Sequence, residues 1–206
     1  MSSRGRQADM IALGLTCAVG LPLVYMVAGA YAEGEVRRQE TPVRALLGAE
    51  AYNALSNGEA SAQNYMGDDR LAPDFSLEAA DGTTWRLQDQ RGKVVVMNFW
   101  TTTCQPCVEE MPSLVSLARM IEGRDDIELV TVSVDRDWDT ARTVVPQSSP
   151  LNVLLDSDRE VVANQFGTRL FPETWIIDPD GVIRLRIDGR RNWNDAIVLD
   201  VIESYL

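Results

Sequence analysis

The chain contains no histidine among its 206 residues, and that absence removes several chemistries together. Ser–His–Asp catalysis, haem ligation through His and most zinc or copper enzyme sites require an imidazole. Acid–base work is left to carboxylates, thiols or tyrosines. Cysteine is scarce too, with three in all. Cys17 lies in an apolar N-terminal run, so only Cys104 and Cys107 remain beyond it. That economy suits an oxidising compartment, where stray thiols would mispair. Positive charge is also in short supply: 19 Lys and Arg stand against 31 Asp and Glu, a formal net charge of −12. A surface of that sign excludes nucleic acid, whose phosphates require a basic face.

What is present is organised around Asn98–Pro112. The apolar run Val94–Met97 feeds it without alternation, which suits a strand buried on both faces. Thr101–Thr103 is short and polar. Helical spacing then follows through Cys107, Met111, Leu114, Val115 and Ala118. Cys104 and Cys107 therefore fall where a central strand turns into a helix. There the free N–H groups and the positive dipole end stabilise a thiolate. Pro106 sits in the first turn, where a missing N–H is no loss. A zinc site would need two more ligands, and haem attachment would need His where Val108 stands. A purely structural bridge at this spacing closes a tiny loop and adds little. The pair reads as a redox site, with no cofactor beyond its own disulfide.

Met10–Ala32 carries no charge. As a helix it would be about 34 Å long, against a hydrocarbon core of roughly 30 Å. Residues 1–32 are expected to be a short cytoplasmic stub and a retained transmembrane signal anchor. The small-residue site Ala30-Tyr31-Ala32 leaves cleavage as the alternative. Residues 33–71 read as a tether with a short helix from Thr41-Pro42 to Asn57-Gly58, then a flexible stretch to Asp69. Residues 72–206 read as one domain, which 45% hydrophobic residues can supply with a core. The pattern predicts a hairpin (Phe75–Leu77 and Thr84–Leu87 about Asp81-Gly82) and strands at Ile127–Val134, Leu151–Leu155, Thr174–Ile177 and Val182–Ile187. Helices are predicted at Trp138–Val145, Asp158–Phe166 and Trp193–Tyr205.

Asn98-Phe99-Trp100 before Cys104-Gln105-Pro106-Cys107, with Glu110 and Pro112 after, resembles the thioredoxin superfamily. More narrowly, it is similar to the membrane-anchored, extracytoplasmic thiol-disulfide oxidoreductases of the ResA/TlpA type. Asn98 stands where thioredoxins carry a buried Asp, and Glu110 occupies the position where the ResA-like branch has Glu. Thr103 replaces the Trp usual before the first cysteine. Phe171-Pro172-Glu173-Thr174 carries the second signature, in which the proline is cis and lies beside the cysteines.

The resemblance implies an α/β thioredoxin-like sandwich with a central mixed sheet, an N-terminal hairpin and an αβ insertion, preceded by one transmembrane helix. It implies catalytic roles for Cys104, Cys107, Glu110 and Pro172. A substrate-binding surface is expected from Trp100, Thr103, Gln105, Pro106 and Phe171. Cys104 would attack a substrate disulfide and Cys107 would resolve the mixed disulfide. Substrates would be proteins with cysteine pairs, such as apocytochromes c or copper-site proteins, and a membrane thiol reductant would donate the electrons. The domain would face the periplasm or extracytoplasmic space from the cytoplasmic membrane.

Glu110 shares the helix face of Cys107 by its i,i+3 spacing, whereas Glu109 does not. A charge roughly 6 Å from the thiols at an effective dielectric near 20 is worth about 2.8 kcal/mol, or about two pKa units. Two rivals share the fold. A peroxiredoxin-type peroxidase would use Thr101, three residues before Cys104, but has Met97 at its proline position. A copper chaperone would normally add a histidine to the two cysteines.

Overall fold

The computed structural model describes residues 21–56, 65–67 and 70–206. Two compact units divide between Thr41 and Pro42. Met10–Gly20, the first part of the expected anchor, lies outside the described residues. A helix, α1, runs over Leu21–Leu47, with Val24, Tyr25, Met26 and Val27 exposed. Among the described residues no helix is long and apolar enough to cross a membrane.

The unit Pro42–Leu206 begins inside the stretch read as a tether. Val43 and Leu47 are buried in its core, and Gly48, at φ +86°, separates α1 from α2 (Ala49–Ser56). Helix therefore already runs through Pro42, where the sequence placed a helix start. Most of the stretch expected to be flexible lies outside the described residues. Within it, Tyr65–Met66 forms strand β1, an element the sequence did not announce.

The hairpin is β2 (Ser76–Ala79) and β3 (Thr84–Arg86), paired with Leu77 opposite Trp85. Strand β4 is Val94–Trp100 and β5 is Ile127–Ser133. Strand β6 is Asn152–Leu155, β7 is Glu173–Ile177 and β8 is Ile183–Asp188. One eight-stranded sheet results, in the order β1-β8-β7-β4-β5-β6-β2-β3. β4, β5 and β6 run parallel; the other pairings are antiparallel. The sheet is mixed, as expected, and β6 is the strand of the insertion.

All residues of β4 are buried, which is what an unbroken apolar run requires. Side chains alternate across a strand, and the core divides accordingly. Val94, Val96 and Trp100 join the cluster containing Leu114 and Leu117, which belong to α3 (Gln105–Met120). Val95, Met97 and Phe99 join the opposite cluster with Phe75 and Trp85. Parity therefore puts Asn98 on the α3 side. On the other side Phe166 meets Phe75, Phe99 and Trp175 edge-on, with centroids 5.3 to 5.8 Å apart.

Three helices differ from expectation. The first, α4, covers only Trp138–Ala141, capped by Asp137 accepting from the Thr140 amide. Beyond it the β-branched Thr143-Val144-Val145 meets Pro146, which disfavours α geometry in the residue before it. Asp158–Phe166 instead contains a π-helical segment, Glu160–Gln165, entered through Arg159 at φ +61°. Its Glu160 amide donates to the Asp158 carboxylate, and those of Val161 and Val162 donate to the Asp156 carboxylate. The last helix, α5, spans Ala196–Glu203 with Asp195 as cap. Trp193 lies before it, drawn instead toward the site described next.

Candidate active site

Cys104 is the N-cap of α3, and its Sγ accepts from the Cys107 amide at 3.2 Å. The two are joined by a disulfide, with Cα atoms 5.3 Å apart. Cys107 is fully buried, while Cys104 keeps partial access to solvent. A substrate disulfide can therefore reach only Cys104 without rearrangement. Thr103, Gln105 and Pro106 are exposed around it. Trp100, expected on this surface, is not there: it is buried with no exposed area. The parity of β4 turns it under α3, so the correction follows from strand geometry.

The loop that presents Cys104 is held by a residue the sequence reading missed. Buried Asp135, just past β5, accepts from the Thr101 hydroxyl at 2.7 Å and the Thr102 hydroxyl at 2.9 Å. The Thr102 amide and the Ser133 hydroxyl donate to it as well. Thr101 and Thr102 are thus donors for one carboxylate, and the Thr103 hydroxyl lies 3.4 Å from that of Thr101. Its signal in the sequence was a lone acid closing the apolar run of β5, a position easily read as a turn.

Glu110 is 1% exposed. Its Oε1 accepts from Asn98 Nδ2 at 2.8 Å, and the same amide nitrogen donates to Thr174 Oγ1 at 2.9 Å. Its Oε2 accepts from the Arg191 backbone N–H at 3.1 Å and from Trp193 Nε1 at 3.3 Å. Burial pushes the carboxyl above its ordinary range, against the opposing pull of these donors. Glu109 is different. It is exposed, accepts from Gln105 and pairs with Arg190 at 3.4 Å.

The Phe171–Pro172 peptide is cis. Glu173 pairs with Phe99 in the β7–β4 register, so Pro172 lies at the end of the sheet where β4 delivers the cysteines. Phe171 is half-buried and Pro172 buried. Next to them Glu173 is 1% exposed and accepts from Thr168, from Trp175 Nε1 and from Arg186, the last two at 2.7 Å. Asp188, opposite Glu173 on β8, is pushed up to about 6 by burial, with Arg186 pulling it down and Glu173 pushing it further up. This buried network was also missed, because Glu173 was read only as part of a signature.

Among the described residues no three His, Cys, Asp or Glu side chains gather as a metal site. Among the described residues, one open hollow lies at the Thr101–Thr103 loop and another along α3. The first, of about 430 Å³, is lined by Thr101–Thr103, Val134, Asp135, Arg136 and Arg159. The other, of about 470 Å³, runs along Val108, Met111, Pro112 and Val115 against Val144 and Pro146.

Residues 69–186 match the model of the AhpC/TSA family. The thiol-disulfide oxidoreductase ResA of Bacillus subtilis is 33% identical over 145 residues, which is 69% of this chain and 77% of that protein. ResA of Oceanobacillus iheyensis is 30% identical over 165 residues, covering 78% and 82%. Among solved structures, the exposed lipoprotein thioredoxin of Streptococcus pneumoniae superposes with a TM-score of 0.55 at 28% identity, covering 64% of this chain and 99% of that one. A thiol:disulfide interchange protein DsbE from Chlorobium tepidum gives 0.59 at 23% identity, covering 68% and 99%, a likeness of fold.

Proposed function

Because the chain belongs to the AhpC/TSA family of thioredoxin-like proteins and is a thiol-disulfide oxidoreductase of the ResA type, we propose that it reduces protein disulfides outside the cytoplasm through Cys104 and Cys107. The observation that carries this reading is the unequal exposure of two bonded cysteines at the head of one helix. The Cys104 thiolate attacks one sulfur of the substrate disulfide, and the other sulfur leaves as a thiolate. Cys107 then attacks Cys104, which forms the Cys104–Cys107 bond and frees the second substrate thiol. Two electrons and two protons pass to the substrate. Glu110 takes the proton from Cys107 as it becomes the nucleophile, and Pro172 and Phe171 receive the extended substrate segment. Thr103, Gln105 and Pro106 form the rim.

Substrates of this reading are cysteine pairs of apocytochromes c or of copper-site proteins. Turnover draws electrons from a membrane thiol reductant, and no cofactor besides the disulfide is needed. Met10–Ala32 anchors the chain in the cytoplasmic membrane, with the domain on the outer side. A peroxidase reading is less favoured, because the Thr101 hydroxyl is committed to Asp135 and Met97 lies inside β4.

The test is a trap. Cys107→Ser leaves Cys104 able to attack and unable to be released, so mixed disulfides should accumulate in cells and disappear with reductant. The captured protein identifies the substrate. Capture by Cys104→Ser and none by Cys107→Ser would reverse the two roles.

A further inference from the structure

The segment Gly189–Trp193, between β8 and α5, touches three parts of the site. The Gly189 amide donates to the Pro172 carbonyl at 2.9 Å. Arg190 pairs with Glu109 at 3.4 Å. The Arg191 amide and the Trp193 indole both donate to Glu110 Oε2. Trp193 is completely buried in the core cluster that holds Leu114 and Val198. Hydrophobic packing alone does not require its nitrogen to meet a carboxylate, and a phenylalanine would fill most of the same space.

Two of the enclosed carboxylates of the site, Glu173 and Glu110, are held in different ways. Glu173 is paired with the Arg186 guanidinium, a cation it shares with Asp188. Glu110 is held by three uncharged donors: the Asn98 amide, the Arg191 backbone and the Trp193 indole. The Arg191 guanidinium donates to the Arg190 carbonyl, and its charge acts on Glu110 as the smallest of the pulls toward the ionised form. A cation in place of the indole would fix Glu110 as an ion; an uncharged donor orients it and leaves it free to titrate.

We propose that Trp193 is a positioning residue, whose indole N–H fixes the orientation of Glu110 and sets its proton affinity. The part Glu110 plays in thiol exchange rests on the function proposed above; the link between Trp193 and Glu110 does not. The other ionisable groups on the packed elements are accounted for. α3 brings Cys107, Glu109 and, in its last turn, exposed Arg119, with Cys104 as its cap, and β4 brings none. β7 brings Glu173, held by Arg186; β8 ends at Asp188, which pairs with Arg186 as well; and the segment itself brings Arg190 and Arg191. At α5, Asp195 caps the helix, Asp200 is exposed and Glu203 pairs with Arg124.

The experiment reads Glu110 directly, by pH-dependent infrared difference spectra of the full chain with Glu110→Gln as the blank. Removing a donor to the ionised form raises proton affinity. Trp193→Phe should therefore move the carboxyl midpoint up by about one pH unit. The low-pH limb of the exchange rate should move with it. Trp85→Phe, whose indole meets Glu128 instead, should leave both in place. Should Trp193→Phe lose its cooperative melt, benzothienylalanine placed at 193 keeps the shape without the N–H and repeats the measurement. A midpoint unchanged in a folded variant overturns the proposal and leaves Trp193 as packing. A moved midpoint with an unaltered rate in Glu110→Gln keeps the Trp193 link and removes the catalytic reading of Glu110.

Discussion

Adjacent glutamates at the head of α3 meet opposite environments. Glu109 faces solvent and Arg190, whereas Glu110 is enclosed among neutral donors. Close to the thiols, an ionised Glu110 opposes their ionisation. Glu110→Gln should accordingly lower the pKa values of both cysteines in the reduced protein, by up to about two units before solvent screening. It should also slow exchange at neutral pH. Glu109→Gln should do neither. Thiol alkylation rates across pH, with stopped-flow exchange, measure both effects. Stability carries the same signature. The folded protein holds the Glu110 proton above the ordinary value of 4.5, so between that value and the folded pKa it binds more protons than the unfolded chain. Stability from this group therefore falls as pH rises through that window and levels off above it. Urea unfolding across pH should show the difference between Glu110→Gln and the parent drifting in favour of the variant over that range.

At the scale of elements, the site is a junction between a strand, a helix and two connecting segments. β4 delivers the cysteines and sets Asn98 by parity, and α3 places Cys107 and Glu110 on one inward face. Asp135 fixes the loop between them through Thr101 and Thr102. The segment after β8 closes the far side. Its first residue, Gly189, sits at φ +78°, a conformation in which a side chain costs about 1–2 kcal/mol. Gly189→Ala should lower stability by about that amount in denaturant unfolding. It should also slow thiol exchange more than an equally destabilising substitution remote from the site. An exchange rate that follows stability alone would separate Gly189 from the active centre.

For the molecule as a whole, the balance of charge bears on the direction of electron flow. An oxidising pair needs a strongly stabilised thiolate. The chain supplies no imidazolium, its net charge is −12, and Gln105-Pro106 adds no cation between the cysteines. The helix end supports the Cys104 thiolate, while buried Glu110 opposes it. The Cys104–Cys107 couple is therefore expected near the reducing thioredoxin value of about −270 mV, well below the oxidising extreme near −120 mV. Equilibration with glutathione or dithiothreitol buffers measures it. A potential above about −180 mV would make the protein an oxidant or isomerase instead.

By itself the sequence determined the chemistry and the frame that carries it. Cys-Gln-Pro-Cys after an unbroken apolar run and before a helical stripe specified thiol chemistry at a strand–helix junction, because few other ligands exist in the chain. Local pattern was enough there: β4, β5 and the hairpin are set by their own residues. Tertiary structure alone decided the rest, because those features depend on residues distant in the chain. Trp100 looked like a surface aromatic until the sheet gave β4 two covered faces. The helices predicted at Trp138 and Asp158 shrank or changed form where Pro146 and the Asp156 carboxylate competed for the backbone. Glu110 stood out in the sequence, but its three donors come from Asn98 on β4 and from Arg191 and Trp193 on the segment after β8. A buried acid's proton affinity depends on who surrounds it, and only the folded chain brings those neighbours together.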